Sequence, residues 1–142
     1  MTEANQVDAA VRRHLGPLGR WIRMQSAIDA GVPDWHYTML RGGVSGWLED
    51  KLIPPSRRCP GTVTLDQILW GEAEVAAGGR WHLLGLEPRT RTWLLMTSGQ
   101  ARAWFDGGPL AAVIESTGRF PTREIALALA PRRQLVHIVG SC

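Results

Sequence analysis

The chain has 142 residues, a length that suits one domain built round one hydrophobic core. Its apolar content of 44% and mean hydropathy near zero exclude a disordered or fibrous chain, and no run of about 18 apolar residues is present to span a membrane. The net charge of +3 is modest, and two cysteines without a CxxC or Cys/His spacing exclude a disulfide scaffold and a zinc ribbon.

In chain order, residues 3–18 carry Val7, Ala10, Val11, His14, Leu15 and Leu18 at helical spacing, and Gly16-Pro17 predicts that this helix frays or ends there. Arg20 to Met24 alternates as a short strand. Ala30-Gly31-Val32-Pro33 predicts a turn into a second strand, Asp34 to Met39. Arg41-Gly42-Gly43 turns the chain into a third strand, Ser45 to Ile53, which Pro54-Pro55 ends because proline donates nothing to a ladder. An arginine-bearing loop, Ser56 to Gly61, precedes Thr64-Leu65-Asp66-Gln67, a capping-box pattern that opens a helix. Leu65, Ile68, Leu69, Ala73 and Ala76 form its predicted apolar side, and Gly78-Gly79 closes it. Arg80 to Leu86 and Arg91 to Thr97 read as two strands joined at Glu87-Pro88-Arg89-Thr90. A helix near residues 122–130 and a strand near 134–139 complete the reading. The order predicts an α/β domain with a mixed sheet flanked by helices, spanning 1–142, with a core at about 3–97 and a motif-free addition at 98–142.

Chemistry concentrates in Gly31 to Lys51. In Trp47-Leu48-Glu49-Asp50-Lys51-Leu52-Ile53, strand alternation puts Glu49 and Lys51 on one face and Asp50 on the other. If the Asp34 strand pairs with this one through the Arg41–Val44 turn, the Asp34 carboxylate reaches the same spot. Two converging carboxylates suit a hard divalent cation, Mg²⁺ above all. A nearby ammonium orients or deprotonates a bound water, or balances transition-state charge. Lys51 is the only lysine in the chain, and a surface otherwise cationic through arginine suits phosphate contacts.

Pro33-Asp34 followed by Glu49-Asp50-Lys51 resembles the PD-(D/E)xK nuclease signature. The surroundings match as well: the Gly-x-Pro-Asp approach, the glycine-rich hairpin, the apolar lead-in Gly46-Trp47-Leu48 and a following helix that opens with glutamine. The resemblance is to small phage-type and virus-type replication-repair nucleases, relatives of the archaeal Holliday junction resolvases. It implies a restriction-endonuclease-like αβββαβ core that cuts DNA phosphodiesters with Mg²⁺ or Mn²⁺. It further implies Asp34 and Glu49 as metal ligands, the Asp50 backbone carbonyl as a third, Lys51 as the catalytic lysine and Gln67 beside the site. Relatives often add an acid on the first helix, for which Glu3 is the candidate and Asp8 the runner-up. The middle residue of the triplet is usually apolar, since it faces a helix. Asp50 departs from this, so that face is expected to be less covered or Asp50 to pair with an arginine.

Each residue also has a plainer reading. Pro-Asp is commonly a turn, and Glu-x-Lys a cross-strand charge pair. Gln67 is placed to bond back to Thr64, and Glu3 to be a solvated first-turn acid. His36 shares a strand face with Asp34 and is a candidate flank of the site or a structural histidine. Arg57 and Arg58 are candidate phosphate contacts or solvated loop residues. Arg12-Arg13, Arg89/Arg91 and Arg132-Arg133 are by default solvated. The expected protein is a cytoplasmic, phage- or prophage-derived endonuclease acting on DNA junctions, flaps or nicks, with a homodimer needed to cut two strands of a junction. The rivals are a catalytically inactive nucleic-acid-binding accessory protein of the same fold and a small globular protein with no nucleic-acid role.

Overall fold

The computed structural model describes residues 3–25 and 30–131, with the side chains of the first helix described from Gln6 onward. Helix α1 (Glu3–Ala10) runs through a π-helical turn (Val11–Leu15) and a 3₁₀ turn (Gly16–Leu18) into β1 (Gly19–Arg23). Strands β2 (Trp35–Met39) and β3 (Ser45–Leu52) follow, then α2 (Leu65–Ala76), β4 (Trp81–Glu87), β5 (Thr92–Thr97), α3 (Ser98–Phe105), β6 (Ile114–Thr117) and α4 (Thr122–Leu129). The six strands form one sheet in sequence order. β3 and β4 are parallel, joined through α2, and the other neighbouring pairs are antiparallel. The architecture of the described residues is mixed α/β, with a mostly antiparallel sheet and four α-helices.

Strand alternation sorts the core into two layers. Val7, Val11 and Leu15 from the first helical segment and Ile125 and Leu129 from α4 cover one face, against Trp35, Tyr37, Leu48, Leu84 and Leu95. Ile68 from α2 and Ala101 and Trp104 from α3 cover the other, against Trp81, Leu83, Leu94 and Met96. Neighbouring residues such as Leu83 and Leu84 therefore feed opposite layers, as the pleat requires.

Helix α2 corrects one sequence expectation. Thr64 caps it as predicted, but Leu65 and Leu69 are about half exposed, and Ala73 and Ala76 also face out. Its buried line runs through Ile68 and Gly71. Gly71 decides the rotation, because a Cβ there would lie 2.7 Å from the Trp81 ring, so only glycine lets the helix come this close. α3 and β6 are additions that the sequence reading left without structure. α3 opens with a second complete capping box, Thr97 to Gln100, of the same type as Thr64 to Gln67. The strand expected near 134–139 lies outside the described residues.

Gly31 ties the approach to β2 onto α2. Its φ is +87°, and a Cβ would run into the Asp66 carbonyl at the start of that helix. Gly31→Ala is expected to cost about 1–3 kcal/mol in urea unfolding, from backbone strain and the displaced contact together.

Candidate active site

The site lies where two strands part. β2 and β3 pair from Thr38 opposite Ser45 to Trp35 opposite Leu48, and there the ladder stops. Asp34 bends out of line, and Pro33 before it has no N–H to offer. On β3, Trp47 N–H donates to the Arg80 carbonyl at 2.9 Å and Ile53 N–H to that of Leu86 at 2.8 Å, so the odd-numbered residues bond toward β4. The even-numbered residues direct N–H and C=O toward the edge that β2 has left. There the Asp50 N–H donates to Asp34 Oδ2 at 2.7 Å. The Asp34 carboxylate thus replaces the missing strand, and the Asp50 carbonyl opens onto the same edge.

Arg23 holds the other oxygen of Asp34. Its Nη1 donates to Oδ1 and to the Asp34 carbonyl, both at 3.0 Å, while its Nε donates to Asp8 Oδ2 at 3.0 Å. Arg23 stands opposite Trp35 in the β1–β2 register, which places it beside Asp34.

Glu49 points to the α2 side of the sheet and is 2% exposed. Gln67 Nε2 donates to its Oε1 at 3.1 Å, and Lys51 Nζ stands 3.7 Å from the same oxygen. Gln67 also completes the cap of α2, since its own Oε1 accepts from Thr64 N–H at 3.0 Å. Glu49 Oε2 is buried without a protein partner. Burial, with Asp34 adding to it and Lys51 opposing, pushes Glu49 up to about 9, so it carries a proton at neutral pH in the absence of a cation. Asp34, Glu49, Asp50, Lys51 and Gln67 line a cleft of about 650 Å³ that extends to Pro88.

The Asp50 side chain lies on the opposite face, and here the structure corrects the sequence reading. That face is covered by α1, and Asp50 is only 8% exposed. Among the described residues, no arginine bonds it directly. Trp35 Nε1 donates to Oδ2 at 2.8 Å, and Asp8 is the neighbouring acid. Burial first, and then the hydrogen bond with Asp8, pushes Asp50 well above the ordinary carboxyl range. Burial works the same way on Asp8, but hydrogen bonds from Asp50, Arg23 and Trp35 outweigh it and hold Asp8 below its usual value. Asp50 Oδ1 is buried with no hydrogen-bond partner among the described residues.

The remaining candidates fall elsewhere. Glu3 belongs to α1, with its side chain outside the described set; the first-helix acid brought against the network is Asp8. His36 packs edge-on against Trp47, ring centroids 4.6 Å apart, and does not line the cleft. Arg57, with φ +57°, pairs with Glu115 at 3.0 Å and accepts from Trp104 Nε1 on its carbonyl at 2.8 Å. Arg58 is exposed on the same loop. Neither arginine lines the cleft, although Pro54, Pro55 and Pro60 around them do. Sequence reasoning missed Arg23 as the partner of Asp34; Asp8 between buried Val7 and Val11 was the available hint of an inward-facing acid on the first helix.

Among the described residues, no three His, Cys, Asp or Glu side chains form a ready cation cage. Magnesium does not need one, since it takes one or two carboxylates and keeps several waters. Asp34, the unpartnered Oε2 of Glu49 and the Asp50 carbonyl offer hard oxygens at one edge, so the donor set fits such an ion.

A buried acid that holds its proton in the fold weakens the fold as pH rises. Between about 4.5 and about 9 the folded chain keeps a proton on Glu49 that the unfolded chain has released. Glu49→Gln removes that penalty. In EDTA it is expected to be more stable than wild type by about 1–3 kcal/mol at pH 8, with the gap closing toward pH 4.5, as read from thermal melts across pH.

No family model matches the chain, and no curated protein matches it.

Proposed function

We propose that the protein is a metal-dependent DNA endonuclease of the PD-(D/E)xK kind, hydrolysing backbone phosphodiesters in the cleft at the β2–β3 split. The observation that carries this reading is the convergence of Asp34, Glu49 and Lys51 on one cleft, with Glu49 Oε2 buried and unpartnered. The order α1, three antiparallel strands, α2 and a parallel β4 agrees with the restriction-endonuclease-like core that the motif implies.

Magnesium or manganese held by Asp34, Glu49 and the Asp50 carbonyl would supply Lewis-acid activation of water and neutralise charge at phosphorus. The chain's own residues perform the remaining tasks. Asp50 N–H and Arg23 fix the Asp34 carboxyl from two sides, so it is oriented before any ligand arrives. Gln67, itself fixed by the α2 cap, sets the rotation of Glu49. Lys51 lines the cleft with its Nζ 3.7 Å from Glu49, where its ammonium would orient an attacking water or contact a phosphate oxygen.

Junctions, flaps or nicks are the DNA structures this reading favours. Cutting both strands of a junction would take a second copy of the chain. Action in a bacterial cytoplasm on phage or prophage DNA fits the same reading. No helix of the described residues is long and apolar enough to cross a membrane.

The test is cleavage of plasmid and branched DNA in Mg²⁺, Mn²⁺ or EDTA. Wild type is expected to cut with either metal and not in EDTA. Asp34→Ala and Lys51→Ala are expected to lose at least about a hundredfold in rate while keeping their fold. Binding without cutting in both metals would leave an accessory binding protein of the same architecture.

A further inference from the structure

A second cavity, of about 300 Å³, adjoins the acidic cleft and is lined by Gln6, Arg13, His14, Pro88, Arg91 and Trp93. Pro88 lines both: the acidic cleft opens on the α2 side of the sheet and the second cavity on the side of the first helix, and they meet at the end of the sheet. Both reach the end of the sheet where β4 gives way to Pro88.

The chemistry of the second cavity is opposite to that of the first. Arg13 and Arg91 are exposed, and among the described residues neither has a carboxylate partner. The nearest acid of the turn, Glu87, is consumed locally: its Oε2 accepts from Thr90 N–H at 2.7 Å and from Thr90 Oγ1 at 3.1 Å. Arg91 is held at φ +56°, an uncommon conformation for a side-chain-bearing residue, and its carbonyl accepts from Gly118 N–H at 3.0 Å. His14 is fixed by stacking on Phe120, with centroids 4.6 Å apart and planes 11° apart, and Phe120 packs edge-on against Trp93. Two free guanidiniums thus flank a pocket with a rigid aromatic wall.

We propose that this cavity binds a backbone phosphate of the DNA strand whose scissile phosphodiester occupies the neighbouring cleft, so that the strand passes over Pro88. The inference rests on the nuclease reading and adds the direction in which the substrate lies. Planar guanidiniums suit phosphate oxygens, and a phosphate neutralised there releases condensed counterions, which gives the site a signature in salt dependence.

The experiment uses the full chain and a labelled branched DNA, with fluorescence anisotropy in Ca²⁺ over a salt series and cleavage kinetics in Mg²⁺. Arg13→Ala with Arg91→Ala is compared with wild type, with Arg41→Ala in the exposed β2–β3 turn as control and Arg13→Lys with Arg91→Lys as the conservative pair. The alanine pair is expected to bind about tenfold or more weakly, with the log–log salt slope reduced by about two. KM is expected to rise while kcat stays within about twofold. The lysine pair is expected to recover most of the salt slope, and the Arg41 variant to match wild type. An unchanged slope and KM in the alanine pair, with wild type cutting normally, would overturn this inference and leave the nuclease reading standing. Wild type that binds with the arginine-dependent slope but never cuts would keep the phosphate site and remove the catalytic reading. Wild type that neither binds nor cuts DNA would overturn both.

Discussion

The hydrogen bond from the Asp50 N–H to the Asp34 carboxylate is the contact on which the site depends. β3 lies inside the sheet, and an inner strand ordinarily satisfies its backbone on both sides. Here β2 begins two residues too late to cover Asp50, and a side-chain oxygen at 2.7 Å does so instead. An unpaired buried N–H costs about 1–3 kcal/mol, so the bond holds Asp34 in place independently of any ligand. The same departure of β2 opens the cleft. A single local feature therefore produces the gap, aims one acid across it and leaves the Asp50 carbonyl facing it.

Two layers of polar residues support that bond from opposite faces of β3. On the α2 side, Gln67 joins the helix cap to Glu49, so the start of a helix and the orientation of a carboxyl are coupled through one side chain. On the α1 side, Arg23 bridges Asp34 and Asp8, and Asp50 is held by Trp35 and Asp8. Asp50 occupies a position that would be cheaper to fill with an apolar residue, since burying an acid is costly unless it is paired. Burial pushes it toward its neutral form, and the Trp35 Nε1 hydrogen bond at 2.8 Å offsets part of the cost. The network couples the first helix to Asp34 through Asp8, which does not line the cleft.

The parts of this arrangement that obey period-two alternation were legible from sequence. Glu49 and Lys51 fall on one face and Asp50 on the other because a strand leaves no alternative, and Pro33 and Pro54-Pro55 mark where pairing stops. The Gly31 and Arg41–Gly43 turns bracket β2 within a residue of its observed bounds. Other features depend on tertiary register, which local pattern does not carry. The rotation of α2 follows from Gly71 against Trp81, a contact between residues ten apart on different elements. Arg23 reaches Asp34 only because of the β1–β2 register. The burial of Asp50 needed the knowledge that α1 lies over that part of β3. The second capping box at Thr97 was visible and would have placed α3; β6 is short and half-exposed, with little pattern to announce it.

The central claim is that the oxygens at the strand split hold a divalent cation. Manganese binding followed by electron paramagnetic resonance, with proton release measured by calorimetry in buffers of different ionisation heat, tests it most directly. The account predicts saturable binding of about one Mn²⁺ per chain, with release of up to about one proton near neutral pH as Glu49 exchanges its proton for the metal, and loss of both signals in Asp34→Asn. Absence of saturable binding in wild type, or binding and proton release unchanged in Asp34→Asn, would contradict it.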